Sequence, residues 1–143
     1  MNSHLTLAAS ALVILLGGSA PGSALGQAGP ESVKVTLQPV GNSGVSGEAV
    51  LRARGRETDF EYSLSAVDRA NQQREYDVWL RAGSCAAPGR KLEELDDLKA
   101  DGRKEQEDED VVLADLLASD HILQVRVEDR DQVVACGDIR GTP

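Results

Sequence analysis

Phe60-Glu61-Tyr62-Ser63-Leu64-Ser65-Ala66 alternates apolar and polar side chains without a break. A helix would scatter these apolar groups around its surface, whereas a strand turns successive side chains to opposite faces. The stretch therefore reads as a strand that buries Phe60, Tyr62, Leu64 and Ala66. The same period runs outward from it in both directions. Upstream, Val33, Val35 and Leu37 alternate with Lys34, Thr36 and Gln38 until Pro39 closes a first strand. Val45, Gly47, Ala49 and Leu51 share one face of a second strand, Val45 to Arg54. Gly41-Asn42-Ser43-Gly44 and Gly55-Arg56-Glu57 supply the turns, because Gly and Asn accept the positive φ that tight hairpins demand. Downstream, the polar residues Asp68 to Arg74 read as a loop. Tyr76, Val78, Leu80 and Ala82 then point inward from a fourth strand and leave Asp77, Trp79 and Arg81 outside.

Past Gly83-Ser84-Cys85-Ala86-Ala87-Pro88-Gly89, read as a loop, the period weakens. Leu92, Leu95 and Leu98 fit either a helical turn or an irregular strand, and Arg103 to Asp110 is nearly all charge, as in a solvated loop. Ala114 to Ala118 reads as a short helix. Leu123, Val125 and Val127 restore the alternation, and Val133 to Cys136 follows the Asp129-Arg130-Asp131 turn as the last strand. Seven to eight short strands with one short helix predict an all-β fold, an antiparallel Greek-key sandwich or flattened barrel. Phe60, Tyr62 and Tyr76 belong to its core, and Trp79 stands outside by parity.

The chain's first residues follow a different plan. Leu5 to Leu16 is an apolar run, succeeded by small residues and Gly/Pro up to Pro30. That is the layout of a secretory signal peptide, although no Lys or Arg precedes the run. Ala24 and Ala28 both satisfy the small-residue rule for cleavage. The boundary is placed after Ala28, giving a signal peptide over 1–28, a single domain over 29–143 and a secreted or periplasmic location. The apolar run is shorter than the roughly 20 residues a membrane span needs, so no integral membrane segment is expected in the mature chain. Residues 1–28 hold no Asp, Glu, Lys or Arg, so the whole net charge of −9 falls on that domain. Such a surface repels phosphate backbones, and a nucleic-acid partner is excluded. Cys85 and Cys136 are an even pair in an exported chain and read as one disulfide, the alternative being two free buried thiols.

At Gly83-Ser84-Cys85-Ala86-Ala87-Pro88-Gly89 and Val134-Ala135-Cys136-Gly137-Asp138-Ile139 the chain resembles the copper-zinc superoxide dismutase-like and CHRD-like group of exported β-sandwich proteins. The resemblance is one of layout over roughly residues 31–141 and is specific at these two segments. It implies a bond from Cys85, after the fourth strand, to Cys136 on the last. Copper-binding members carry a His-x-His pair shortly before the first cysteine and a further His on the penultimate strand. The corresponding positions here hold Trp79, Leu80 and Arg81, and then Arg126, while Val133 stands where active dismutases place an Arg. Copper redox cycling and a bridging zinc need several imidazoles. After export only His121 would remain, and a guanidinium does not deprotonate to become a ligand. The resemblance thus implies the fold without the dismutase reaction: a structural or binding domain, with no catalytic residue, metal site or cofactor.

Three further features are candidates. His121 follows Ser119 and Asp120, but neighbours on one chain do not align as a relay, and a strand-entry histidine is expected. Glu105, Glu107, Asp108, Glu109 and Asp110 form an acidic segment (105–110) that offers an alternative function, weak divalent-cation binding, although the spacing is not that of an EF-hand. Trp79, Arg81 and Arg126 make a possible surface site for an unknown protein or a small anionic ligand. The competing expectation is that Arg81 and Arg126 pair with carboxylates such as Asp77 or Glu128.

Overall fold

The computed structural model describes residues 29–140, so the expected signal peptide lies outside the described residues. Eight antiparallel strands form one curled sheet: β1 (Ser32–Pro39), β2 (Val45–Arg54), β3 (Glu57–Ala66), β4 (Glu75–Ser84), β5 (Ala87–Lys99), β6 (Asp101–Glu109), β7 (His121–Val127) and β8 (Val133–Ile139). Their order across the sheet is β5-β4-β7-β8-β1-β2-β3-β6, and the non-consecutive neighbours make the expected Greek key. The sheet folds over at β1, which pairs with β2 from Ser32 to Leu37 but with β8 only at Gln38 and Pro39.

The alternation read from the sequence sets the core. Val33, Val35 and Leu37 of β1, Ala49 and Leu51 of β2, Phe60, Tyr62 and Leu64 of β3, and Tyr76, Val78 and Leu80 of β4 are all buried in one cluster. Gly41, Gly44 and Gly55 adopt the positive φ that the first two hairpins require.

Three expectations need correction, and one open alternative is decided. Two short helices are present rather than one, because the Asp68–Arg74 segment contains α1 (Arg69–Gln72). Asp68 nucleates it, its carboxylate accepting from the Asn71 N–H at 2.9 Å. Leu92, Leu95 and Leu98 lie on the irregular strand of the two alternatives. Register slips between β4 and β5 let residues three apart face inward, so Leu95 and Leu98 are buried. Residues 103–110 are mostly strand, not a solvated loop, since β6 pairs with β3 from Thr58↔Glu109 to Ser65↔Asp101. An edge strand needs one partner and tolerates charge, which is why its composition hides it. Finally, the 83–89 segment is the tip of the β4–β5 hairpin, with Ser84 opposite Ala87 and only Cys85 and Ala86 between them. The helix expected near Ala114 is α2 (Leu113–Ala118), whose Leu113 and Leu116 close one end of the core.

Candidate functional site

The outer face of β4, β7 and β8 carries the residues singled out by sequence. Pairing places Trp79 opposite Gln124, and Gln124 opposite Cys136, so the three share one rung on one face. Cys136 is bonded to Cys85 with Cα atoms 5.9 Å apart, which folds the β4–β5 hairpin tip onto that face. Asp138 Oδ1 accepts from the Cys85 N–H at 2.9 Å and holds the same tip. The outward residues of β7 are covered as well. Ile122, Gln124 and Arg126 are all buried, and Ile122 lies outside the main core cluster.

Trp79, Arg81 and Arg126 do come together. The Arg126 guanidinium carbon lies 4.3 Å from the Trp79 ring centre, Lys91 Nζ 4.4 Å and the Arg81 guanidinium carbon 5.8 Å. Both guanidiniums, however, are bonded within the fold. Arg81 donates from Nε and Nη2 to the Gly89 carbonyl and from Nη1 to Gln124 Oε1. Arg126 donates to Gln124 Oε1 and pairs with Asp131. Salt bridging by Arg126 was expected, but its partner is neither Asp77 nor Glu128, because the β7–β8 turn swings Asp131 over the strand. Lys91, which sequence reading missed because β5 had no clear period, pairs with Glu94. The result is a cation–aromatic brace between β4, β5 and β7. Trp79 Nε1 is buried within it without a hydrogen-bond partner.

Trp79 is the chain's single tryptophan, so its emission reports the brace. Arg126→Ala should shift that emission to longer wavelength as water reaches the ring. It should also cost about 1–2 kcal/mol, through the lost cation–π contact and the lost packing of the buried Arg126 side chain, while Gln124 Oε1 keeps its bond from Arg81 at 2.9 Å. Unchanged emission would mean that Arg126 does not shield the ring.

The remaining candidates resolve into structural parts. His121 opens β7, and its Nδ1 lies 3.0 Å from the Leu116 carbonyl and 3.1 Å from that of Ser119. Both partners are acceptors, so Nδ1 carries the proton and ties α2 to the strand. The acidic segment is divided by the strand's pleat: Glu105, Glu107 and Glu109 pair with Tyr62, Phe60 and Thr58, while Asp108 pairs with Asp59 on the opposite face. Among the described residues no three His, Cys, Asp or Glu side chains converge as a metal would need. Asp59, unnoticed in the sequence, is buried on the outer face of β3. Gln106 donates to it at 2.8 Å, and Arg52 Nη1 lies 3.4 Å away.

Carboxylates crowd the β4–β5 side and β6, with consequences for pH. Asp97 is pushed above its ordinary 3.8 by burial and then by Asp77. Glu109 is pushed above its ordinary 4.5 by burial and then by Glu107 and Glu93, and Glu128 by desolvation and then by Glu75. Conversely, the Lys104 hydrogen bond holds Glu61 below 4.5, and the Asn71 N–H holds Asp68 below 3.8. A raised group binds its proton more tightly when folded, so its contribution is present below the ordinary value and lost as pH rises through the folded one. A lowered group contributes above its ordinary value and loses that as pH falls. The thermal midpoint should therefore rise as pH falls toward 4.5 and drop again below 3.8. A midpoint that declines steadily from pH 7 downward would show that the crowded acids do not govern stability.

Comparison with protein-family models, curated proteins and solved structures returns no match for this chain. Among the described residues no helix is long and apolar enough to cross a membrane.

Proposed function

We propose that this protein is a non-enzymatic exported domain, structural or binding in role, built like the copper-zinc superoxide dismutase-like and CHRD-like sandwiches but without their copper and zinc ligands. One observation carries the reading. The positions that the resemblance aligns with metal-binding histidines, Trp79, Arg81 and Arg126, converge on one face beside the Cys85–Cys136 bridge. There they form a brace in which guanidiniums bond to Gly89, Gln124 and Asp131. Guanidinium groups hold no metal, and the imidazoles that copper chemistry needs have no counterpart there. The eight-stranded Greek key supports the kinship in architecture, since such sandwiches recur without sequence similarity. A disulfide supports a secreted or periplasmic location, where such bonds persist.

Weak divalent-cation binding by residues 105–110 is the less favoured reading. The pleat of β6 separates those carboxylates, and Glu107 is engaged with Tyr62 and Asp96. What the domain binds would be an anionic small molecule or a protein, met at the rim of the brace where Lys91 is exposed. The test is metal loading of the purified protein with copper and zinc followed by dialysis. No stoichiometric metal and no superoxide dismutation are expected; a tight one-to-one complex that turns over superoxide would overturn the proposal.

A further inference from the structure

β5 and β6 are the two terminal strands of the sheet, yet they follow one another in the chain with only Ala100 between them. The curl of the sheet brings these edges face to face along a seam. Among the described residues no backbone ladder joins them, and side chains do so instead. Glu107 Oε1 on β6 accepts from the Asp96 N–H on β5 at 2.7 Å. Tyr62 Oη, reaching across from β3, lies 2.5 Å from that carboxylate oxygen and 2.9 Å from the Asp96 carbonyl, two acceptors for its single proton. Burial, reinforced by Glu107, pushes the Tyr62 phenol well above its ordinary value, so it stays a donor. Both edges also carry carboxylates, among them Glu93 and Asp97 on β5 and Glu105 and Glu109 on β6, interspersed with basic residues; Glu94 is paired with Lys91 and Asp108 with Arg54. Across the seam Glu93 and Glu109 are near enough for their charges to oppose each other. A seam without ladder bonds, flanked by like charges, separates more readily than the paired strands do.

We propose that Tyr62 and Glu107 latch the β5–β6 seam, and that release of this latch lets β5 and β6 fray together from β4 and β3 ahead of global unfolding. When closed, the latch keeps two strand edges from presenting unpaired N–H and C=O groups to other chains. When it opens, both edges become available at once.

Native-state hydrogen exchange on the folded chain tests this. In the wild-type protein under low denaturant, amides of β5 and β6 should exchange together and before those of β1, β2, β7 and β8. Tyr62→Phe keeps the ring and removes the hydroxyl, and it should speed the β5 and β6 amides on the order of tenfold. Leu37→Ala, in β1 on the other side of the sheet order, should speed the slow amides of the remaining strands and leave β5 and β6 as they were. Glu107→Gln keeps an acceptor oxygen and should disturb the seam less than Glu107→Ala. Seam amides as slow as those of β1 and β8, or a seam response to Leu37→Ala as large as that to Tyr62→Phe, would overturn the proposal. The wild-type pattern decides the matter even if a variant fails to fold.

Discussion

Replacing Cys136 by serine should lower the stability of this domain by about 2–5 kcal/mol and its thermal midpoint by about 10 °C or more. The bridge joins residues 51 positions apart, and closing a loop of that length in the unfolded chain corresponds to on the order of 4 kcal/mol. A second effect adds to it. The bridge holds the hairpin tip against β8 at Cys136, directly beside Gln124 of β7. Without it Gln124 and Ile122 gain access to water and the brace around Trp79 loses one side. Two ties remain, the Cys85 N–H to Asp138 and the Gly83 N–H to the Asp120 carbonyl at 2.8 Å, so the fold should survive with native strand pairing. Thermal denaturation of the variant, and of the wild-type protein with and without reductant, measures the loss. A midpoint within a few degrees of wild type would mean that those two hydrogen bonds alone hold the tip.

What the sequence made legible follows from where a single face is buried. β1 to β4 alternate because one side meets the core, and their inward residues are legible one by one up to Leu80, although Ala82, read as inward, is only half-buried and lies outside the cluster. β7 broke that rule. Its even-numbered residues look polar or exposed by parity, yet they are buried, Arg126 against Trp79 and Asp131, and only the cysteine pair hinted that anything lay over that face. β6 escaped detection for the opposite reason: as an edge strand with little core contact it carries charge on both faces, so period and composition pointed to a loop. Bulges concealed β5, because Leu92, Leu95 and Leu98 are spaced as on a helix although the strand slips register to bury two of them. For the brace, Trp79, Arg81 and Arg126 were visible, whereas Lys91 depended on the unseen β5 and Asp131 on the path of a turn. Asp129, with φ 63°, makes that turn tight, and no periodicity encodes it.

Gly137→Ala should destabilise the domain by about 3 kcal/mol, the upper part of the range for forcing an extra group into a packed site. Gly137 pairs with Leu123, whose side chain is in the core, so a methyl group there would also point inward. It would meet the Thr36 carbonyl oxygen at 2.5 Å and Val35 Cγ1 at 2.7 Å. The first obstacle is backbone, which no rotamer change can clear. β1 would have to lift away from β8 at the place where the sheet folds over and where only Gln38 and Pro39 pair the two strands. Gln38 stands opposite Cys136, so the displacement also bears on the disulfide. Gly41→Ala provides the contrast. Its added methyl would meet nothing within 4 Å, and only its φ of 57° resists a side chain, at a cost of roughly 1–2 kcal/mol. Chemical denaturation of the two variants separates crowding from backbone strain. A loss at Gly137 no greater than at Gly41 would show that β1 moves off β8 freely, and the close approach of the two strands would then not be what closes the sandwich.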